Sequence, residues 1–278
     1  MIKKEIAILL PYKENYNINR AGAASIWIKD YLSLSKLKNK TIVYGNLDKK
    51  IKPLTNNFVN IDLTGKLIKK NIRYTEILFE DCLKKKFSII EIHNRPESLR
   101  FLLKKNIDSK LIFVFHNNPK EMRGSTTIKE RIFITENCSH VYFVSRWVKD
   151  KFFEGLPYNE RNNCEILYPS IKPLKKFPKK ENLIIFCGKL NSSKGYDIFG
   201  TAVVKILNKY KEWKAIAIGN EPREKFDFNH KNFKILDWIK HDKILKYYSR
   251  AAISVVPSRW LEPFGRTAME SAAHGCAT

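Results

Sequence analysis

Nowhere in these 278 residues is there an apolar run of the about 20 residues that a membrane span needs. The first apolar stretch, Ile6 to Leu10, is cut short by Pro11, Lys13 and Glu14, and is too brief for a secretory signal. Five cysteines, Cys82, Cys138, Cys164, Cys187 and Cys276, are odd in number and far apart. No C-x-x-C pair is present, which excludes a disulfide frame or a zinc knuckle and points to thiols in a reducing compartment. A cytoplasmic protein is expected, peripheral on the inner face of the cytoplasmic membrane if it meets a membrane at all. Arginine is scarce: it supplies 12 of the 52 basic residues behind a net charge of +24. Lysine carries the rest, scattered, with no Arg-rich arm and no helix-turn-helix, RNA-binding or zinc signature. Nucleic acid is therefore the least favoured partner. A solvated basic surface fits, as does attraction to an anionic membrane at about 1 kcal/mol per well-placed base. D-x-D, the usual carboxylate pair for a metal-bridged diphosphate, is also missing, so neither a metal nor another cofactor is expected.

What is present is globular. Hydrophobic residues make up 44% and aromatics 12%, and the length suits two domains. Short apolar strands alternate with longer amphipathic stretches, the rhythm of parallel α/β units. Strands are predicted at residues 6–10, 41–44, 88–92, 111–115, 140–144 and 165–167. Helices are predicted at 22–37, 71–85, 96–104, 128–137 and 146–153. Residues 169–180 follow, with three prolines, five lysines and no period, and read as a linker. The rhythm restarts with strands at 183–187, 213–218, 233–236 and 252–256, and helices at 196–210 and 242–249. A last helix begins near Gly265. Cys276-Ala277-Thr278 looks like the start of another strand, so the second domain is expected to be incomplete. The expected domains are 1–172 and 173–278.

The tail carries the strongest motif. Glu262 and Glu270 lie eight residues apart across a turn that enters the last helix through Gly265. Free N–H groups at a helix start, with no Cβ in the way, suit a phosphate. A carboxylate on each side can grip sugar hydroxyls, which is the layout of a nucleotide-sugar. In parallel sheets ligands sit at the carboxyl ends of strands, and other polar residues fall there. His93, Asn94 and Arg95 end one strand and are read as lining an acceptor pocket, with Arg95 suited to phosphate or carboxylate. His116 ends the next and suits a sugar hydroxyl or proton traffic. Arg20 to Ser25, with Gly22 at its centre, would let a ligand approach the backbone after the first strand, and a simple turn is an equal reading. Gly188 to Gly195 bring Lys189 and Lys194 after the first strand beyond the linker, where two ammonium groups would balance a leaving diphosphate. Trp238 and Ile239 follow a later strand and are placed against a nucleobase, with core packing the stronger reading for Trp238.

Gly188-Lys-Leu-Asn-Ser-Ser-Lys-Gly195, Pro257-Ser258, Glu262-Pro-Phe-Gly265 and the E-x7-E closed by Ala273-His-Gly275 together resemble the retaining glycosyltransferases of family 4. His93-Asn-Arg-Pro96 and His116 to Gly124 look like the strand-end histidine motifs of some members. The resemblance implies an α/β GT-B fold, two Rossmann-like parallel-sheet domains facing a cleft, the first on the acceptor side and the second binding the nucleotide-sugar. It implies metal-free retaining transfer from a UDP- or GDP-linked sugar to a glycan or glycolipid acceptor in lipopolysaccharide or other surface-polysaccharide assembly. Lys189 and Lys194 would bind the diphosphate, while Phe264, Gly265 and Arg266 would contact phosphates and hexose through their backbone. Glu262 would hold the donor sugar, Glu270 the ribose, and His116 would sit beside the reacting sugar. Two departures stand out: Lys189 occupies a position where Arg is common, and Tyr168-Pro-Ser170 replaces an Asn-Gly. Other readings of the residues are an epimerase or phosphorylase on the same fold, a non-catalytic nucleotide-binding fragment, and a basic nucleic-acid-binding protein.

Overall fold

The computed structural model describes residues 5–19, 21–47, 51–63 and 70–278. The chain divides into two compact units, Met1–Ser170 and Ile171–Thr278. Both are α/β, and every strand pairing among the described residues is parallel.

In the first unit the strands are β1 (Ile6–Leu9), β2 (Thr41–Gly45), β3 (Phe58–Asn60), β4 (Ile89–His93), β5 (Lys110–Phe115), β6 (His140–Phe143) and β7 (Cys164–Ile166). They form one sheet in the order β3-β2-β1-β4-β5-β6-β7. The helices are α1 (Ala23–Leu34), α2 (Lys70–Lys85), α3 (Pro96–Lys104), α4 (Ile128–Asn137) and α5 (Arg146–Phe153). Local chemistry sets their starts. Pro96 stands in the first turn of α3, Thr127 and Glu130 make a reciprocal capping box on α4, and Ser145 accepts the Val148 N–H on α5. β2 is buried along its whole length, as expected of a strand covered on both faces. The strand order reverses between β1 and β4, so the loops leaving their carboxyl ends diverge and open a crevice there.

Three local readings change. The first helix stops at Leu34 instead of residue 37, because Ser35 turns extended and Lys38–Lys40 form a separate 3₁₀ turn. β3 was not anticipated; three residues on a sheet edge leave almost no periodic signal. β7 begins one residue before the predicted strand. Arg20 lies outside the described residues.

In the second unit β8 (Glu181–Cys187), α6 (Tyr196–Lys209), β9 (Lys214–Ile218), β10 (Phe233–Leu236), α7 (His241–Arg250), β11 (Ala251–Ser254) and α8 (Arg266–Ala273) follow in turn. The sheet order is β10-β9-β8-β11, and Ala277 adds a parallel bridge to Ile253, as the strand reading of the last residues requires. Phe186, Tyr196, Phe199 and Val203 fill one face of this sheet, while Leu183, Ile185, Ile218 and Tyr248 fill the other. The end of the predicted linker is not loose. Lys180 Nζ donates to the carbonyls of Tyr248 and Ser249 at 3.0 Å and of His274 at 2.6 Å. One ammonium group thus satisfies backbone acceptors at the carboxyl ends of α7 and α8, where a cation is favoured.

Candidate active site

In the second unit the strand order reverses between β8 and β11, so the loops 188–195 and 255–265 leave the sheet side by side. They are stitched together. The N–H groups of Arg259 and Trp260 both donate to the Ser193 carbonyl at 3.0 Å. The Arg259 guanidinium grips the Asp197 carboxylate at 2.7 and 2.8 Å. Asn191 accepts the Lys194 N–H at 3.0 Å and shapes the turn that carries Lys194. Gly195 follows at φ +71°, and a Cβ on it would stand 2.0 Å from the Pro257 carbonyl oxygen. Only glycine permits so close a crossing.

The crossing brings Lys194 Nζ to 2.5 Å from Glu262 Oε1. The same oxygen accepts from Ser258 Oγ at 3.0 Å, and the Lys194 ammonium lies 4.3 Å from the centre of the Trp260 ring. Three residues past Glu262, Gly265 starts α8 at φ +84°, with no side-chain cap and nothing within 4 Å of where its Cβ would be. The space where a side chain at position 265 would project is therefore open.

Glu270, expected to bind the ribose, has little exposure. Its side chain is buried, and Oε1 accepts from Arg266 Nε at 2.6 Å and pairs with His241 Nε2 at 2.8 Å. Burial alone would raise this carboxyl, but the His241 hydrogen bond and charge, with the Arg266 charge, outweigh it and hold it below the ordinary range. Arg266 turns its guanidinium toward that contact. Trp238 is 39% exposed, so core packing does not account for it. Its backbone N–H donates to Asp237 Oδ1 at 2.6 Å, and that oxygen also accepts from Asn220 Nδ2 at 3.2 Å. Ile239 packs partly buried beneath the sheet, and Lys189 is exposed just after β8.

In the first unit the ends of β4 and β5 meet. His93 Nδ1 lies 2.7 Å from His116 Nε2, and His93 Nε2 lies 2.6 Å from Glu91 Oε1. Tyr31 donates to that same Glu91 oxygen at 3.1 Å. Trp27 sets its edge against both imidazoles. Asn94, at φ +52°, accepts the His116 N–H at 2.8 Å and ties the two strand ends together. Burial, with His93 as a second influence, holds His116 well below the ordinary histidine range. His93 is fully buried with both ring nitrogens engaged, so it backs His116 and lines no acceptor pocket. Asn94 is also largely buried, yet it lines the same cavity as Arg95. Arg95 alone of the three reaches solvent, beside a cavity of about 210 Å³ that Tyr12, Lys13, Met122 and Arg123 also line.

Where a ligand is expected to approach Gly22, the chain's own Glu14 side chain stands. A Cβ there would stand 2.2 Å from Glu14 Oε1, and that oxygen accepts the Ser25 N–H at 3.0 Å. The chain's own carboxylate occupies the amino end of α1, and burial raises its pKa.

Residues 169–278 match the family described as glycosyl transferases group 1. Among solved structures, the chain is similar to Anabaena HepE in complex with UDP-glucose, with a TM-score of 0.71 and 13% identity, covering 98% of this chain and 79% of that one. Sucrose-phosphate synthase from Thermosynechococcus elongatus superposes with a TM-score of 0.70 at 16% identity, covering 98% of this chain and 80% of that one. The fold is GT-B. Among curated proteins, YtcC of Bacillus subtilis (strain 168) is 22% identical over 233 residues, which are 73% of this chain. The chain spans 57% of the length of YtcC.

Several residues that shape the GT-B loop ends escaped the sequence reading. Trp260 and Ser258 lie inside the quoted tail motif, yet nothing in their spacing announces that they flank Lys194. Gly219 was passed over although it follows β9 as Gly188 follows β8. A Cβ on it would stand 1.8 Å from the Gly188 carbonyl oxygen, so a strand-then-glycine repeat was the available signal. Glu91 looked like one polar residue within a strand. Its position two residues before His93 places both on one face of β4, a period-two relationship that could have been read.

Proposed function

We propose that this GT-B chain transfers a sugar from a UDP- or GDP-linked donor to a glycan or glycolipid acceptor, with retention and without a divalent metal. The observation that carries this reading is the Lys194–Glu262 contact of 2.5 Å, three residues before Gly265, where the space a side chain would take is open. A diphosphate would take Lys194, Lys189 and the backbone N–H groups following Gly265, and Phe264 and Arg266 would contact it through their backbone. Glu262, released from Lys194, would accept hydroxyls of the donor sugar. Trp238 would offer its exposed ring to the base. Glu270 would reach ribose only through a carboxylate already braced by Arg266 and His241.

In the reaction the bond between the anomeric carbon and the β-phosphate oxygen breaks on the face where the acceptor oxygen bonds. The acceptor proton passes to the departing phosphate, whose charge Lys194, Lys189 and the helix end stabilise as it develops. His116 would hold a sugar hydroxyl beside this centre. Arg95, Lys13 and Arg123 suit an acceptor carrying phosphate or carboxylate, as a surface-glycan or lipopolysaccharide precursor does. The family match of residues 169–278, together with the UDP-glucose held by the similar HepE, supports a nucleotide-sugar donor. The basic surface suits work at an anionic membrane.

The test is a thermal-shift screen against UDP- and GDP-sugars, since a ligand bound only by the folded state raises the melting point. A donor-specific rise that disappears in Lys194→Ala and Glu262→Ala is expected. DNA binding with a steep salt dependence and no response to any nucleotide-sugar would overturn the reading.

A further inference from the structure

We propose that Glu224 is a positioning residue that reaches across from the loop after β9 to hold the turn presenting Lys194 to a ligand. That turn, Ser192–Lys194, is a single 3₁₀ turn. Three residues of 3₁₀ helix make too few internal hydrogen bonds to fix their own place, so their surroundings decide where Lys194 stands. Ser192 opens the turn with every polar group engaged. Its N–H donates to Glu224 Oε2 at 2.9 Å, and its hydroxyl donates to the same oxygen at 2.5 Å. Its carbonyl accepts from Arg259 Nη1 at 2.7 Å. Because β8 lies between β9 and β11 in the sheet, the turn is gripped from both sides, by Glu224 from the β9 loop and by Arg259 from the β11 loop.

The loop that delivers Glu224 holds its own shape. At its root, Gly219 crosses the β8 loop so closely that a Cβ would stand 1.8 Å from the Gly188 carbonyl oxygen. Further out, the Arg223 guanidinium donates to the two oxygens of Glu221, each at 2.6 Å, and the Glu224 N–H closes on the Glu221 carbonyl at 3.3 Å. These bonds are local, so the one long reach of the loop is Glu224 to Ser192, 32 residues away in the chain. A carboxylate oxygen can accept two donors at once, which is what the N–H and hydroxyl of Ser192 require. Glu224 thereby sets where the Lys194 backbone begins, while Glu262 and Trp260 set where its ammonium ends. That Lys194 holds a diphosphate rests on the transferase reading; that Glu224 holds Lys194 does not.

Two measurements on the full chain test this. Reductive methylation mapped by mass spectrometry reads the accessibility of the Lys194 amine without any ligand, and calorimetric titration reads the affinity for UDP and for GDP. Glu224→Ala should raise methylation of Lys194 several-fold relative to the other lysines, and weaken whichever nucleotide binds by about 10-fold, the size of one charge-assisted contact. Glu224→Gln retains an acceptor oxygen for Ser192 and should restore most of both. In a Lys194→Ala background, read at high nucleotide concentration, Glu224→Ala should cost no further affinity, because it acts through that ammonium. Should Glu224→Ala fail to fold, Ser192→Ala, which removes only the hydroxyl bond, carries the same comparison with a smaller loss. An additive loss in the double variant, or unchanged Lys194 methylation in a folded variant lacking the contact, overturns the proposal. The expected rise in Lys194 methylation in a protein that binds neither UDP nor GDP would instead sink the transferase reading and leave this one standing.

Discussion

Gly195 passes so close to Pro257 that a Cβ on it would lie 2.0 Å from the Pro257 carbonyl oxygen. Backbone against backbone, the two loops that carry Lys194 and Glu262 have no room to slide. The same unit holds a contrasting glycine, Gly265, with nothing within 4 Å of its would-be Cβ. Gly195→Ala should destabilise the protein by more than about 2 kcal/mol in urea unfolding, from left-handed strain and a clash that cannot relax. Gly265→Ala should lose only about 1 kcal/mol but weaken the melting-point rise given by a nucleotide-sugar. Equal stability losses in the two variants would contradict the distinction.

On the proposed reading the Lys194–Glu262 pair binds ligand more than it braces the fold. Both side chains are roughly a quarter exposed, so their ion pair contributes at most about 1 kcal/mol to folding. Lys194→Ala should therefore unfold nearly where the native protein does, while donor-dependent turnover falls about 10²-fold or more. Circular dichroism melts and a radiolabelled-sugar transfer assay on the same preparations separate the two effects.

Glu270 reverses that balance. It is buried between Arg266 and His241, and removing it leaves buried positive charge uncompensated. Glu270→Ala should cost about 3 kcal/mol in folding, measured by denaturant titration without any donor present. Its folded pKa is lowered from 4.5, so its contribution is present above that value and is lost as pH falls through the lower folded value. The native protein should lose stability below pH 4.5 more steeply than Glu270→Gln does.

His116 makes a separate contribution to acid sensitivity. Its folded pKa is well below 6.5, so below pH 6.5 the unfolded chain binds a proton that the folded chain refuses. Stability then rises with pH across that window and falls on acidification. His116→Gln should flatten the loss between pH 6.5 and about 5, read as melting temperature against pH. An unchanged slope would mean that the ring is more accessible to protons than its surroundings indicate.

Much of this protein was legible before any coordinates. The alternation of short apolar runs with amphipathic stretches is local information, and it placed nearly every strand and helix within a few residues. Parallel α/β rhythm in turn puts Lys189, Lys194, Trp238, Glu262, His93 and His116 at carboxyl ends of strands, because successive parallel strands all end on the same edge. Gly265 at a helix start was likewise readable, since its role depends on its own backbone.

Side-chain partnership was decided only by the tertiary structure. Lys194 and Glu262 are 68 residues apart, and strand order, with Gly195 crossing Pro257, is what brings them together. Glu270 looked like Glu262 in the sequence, yet α8 turns it inward onto Arg266 and His241, because a helix faces its residues by packing and not by composition. His93 and His116 looked equivalent, but β4 and β5 bury the first completely and leave the second partly exposed. A residue's type and period follow from its neighbours in the chain, whereas its protonation state and partners follow from what the fold packs against it.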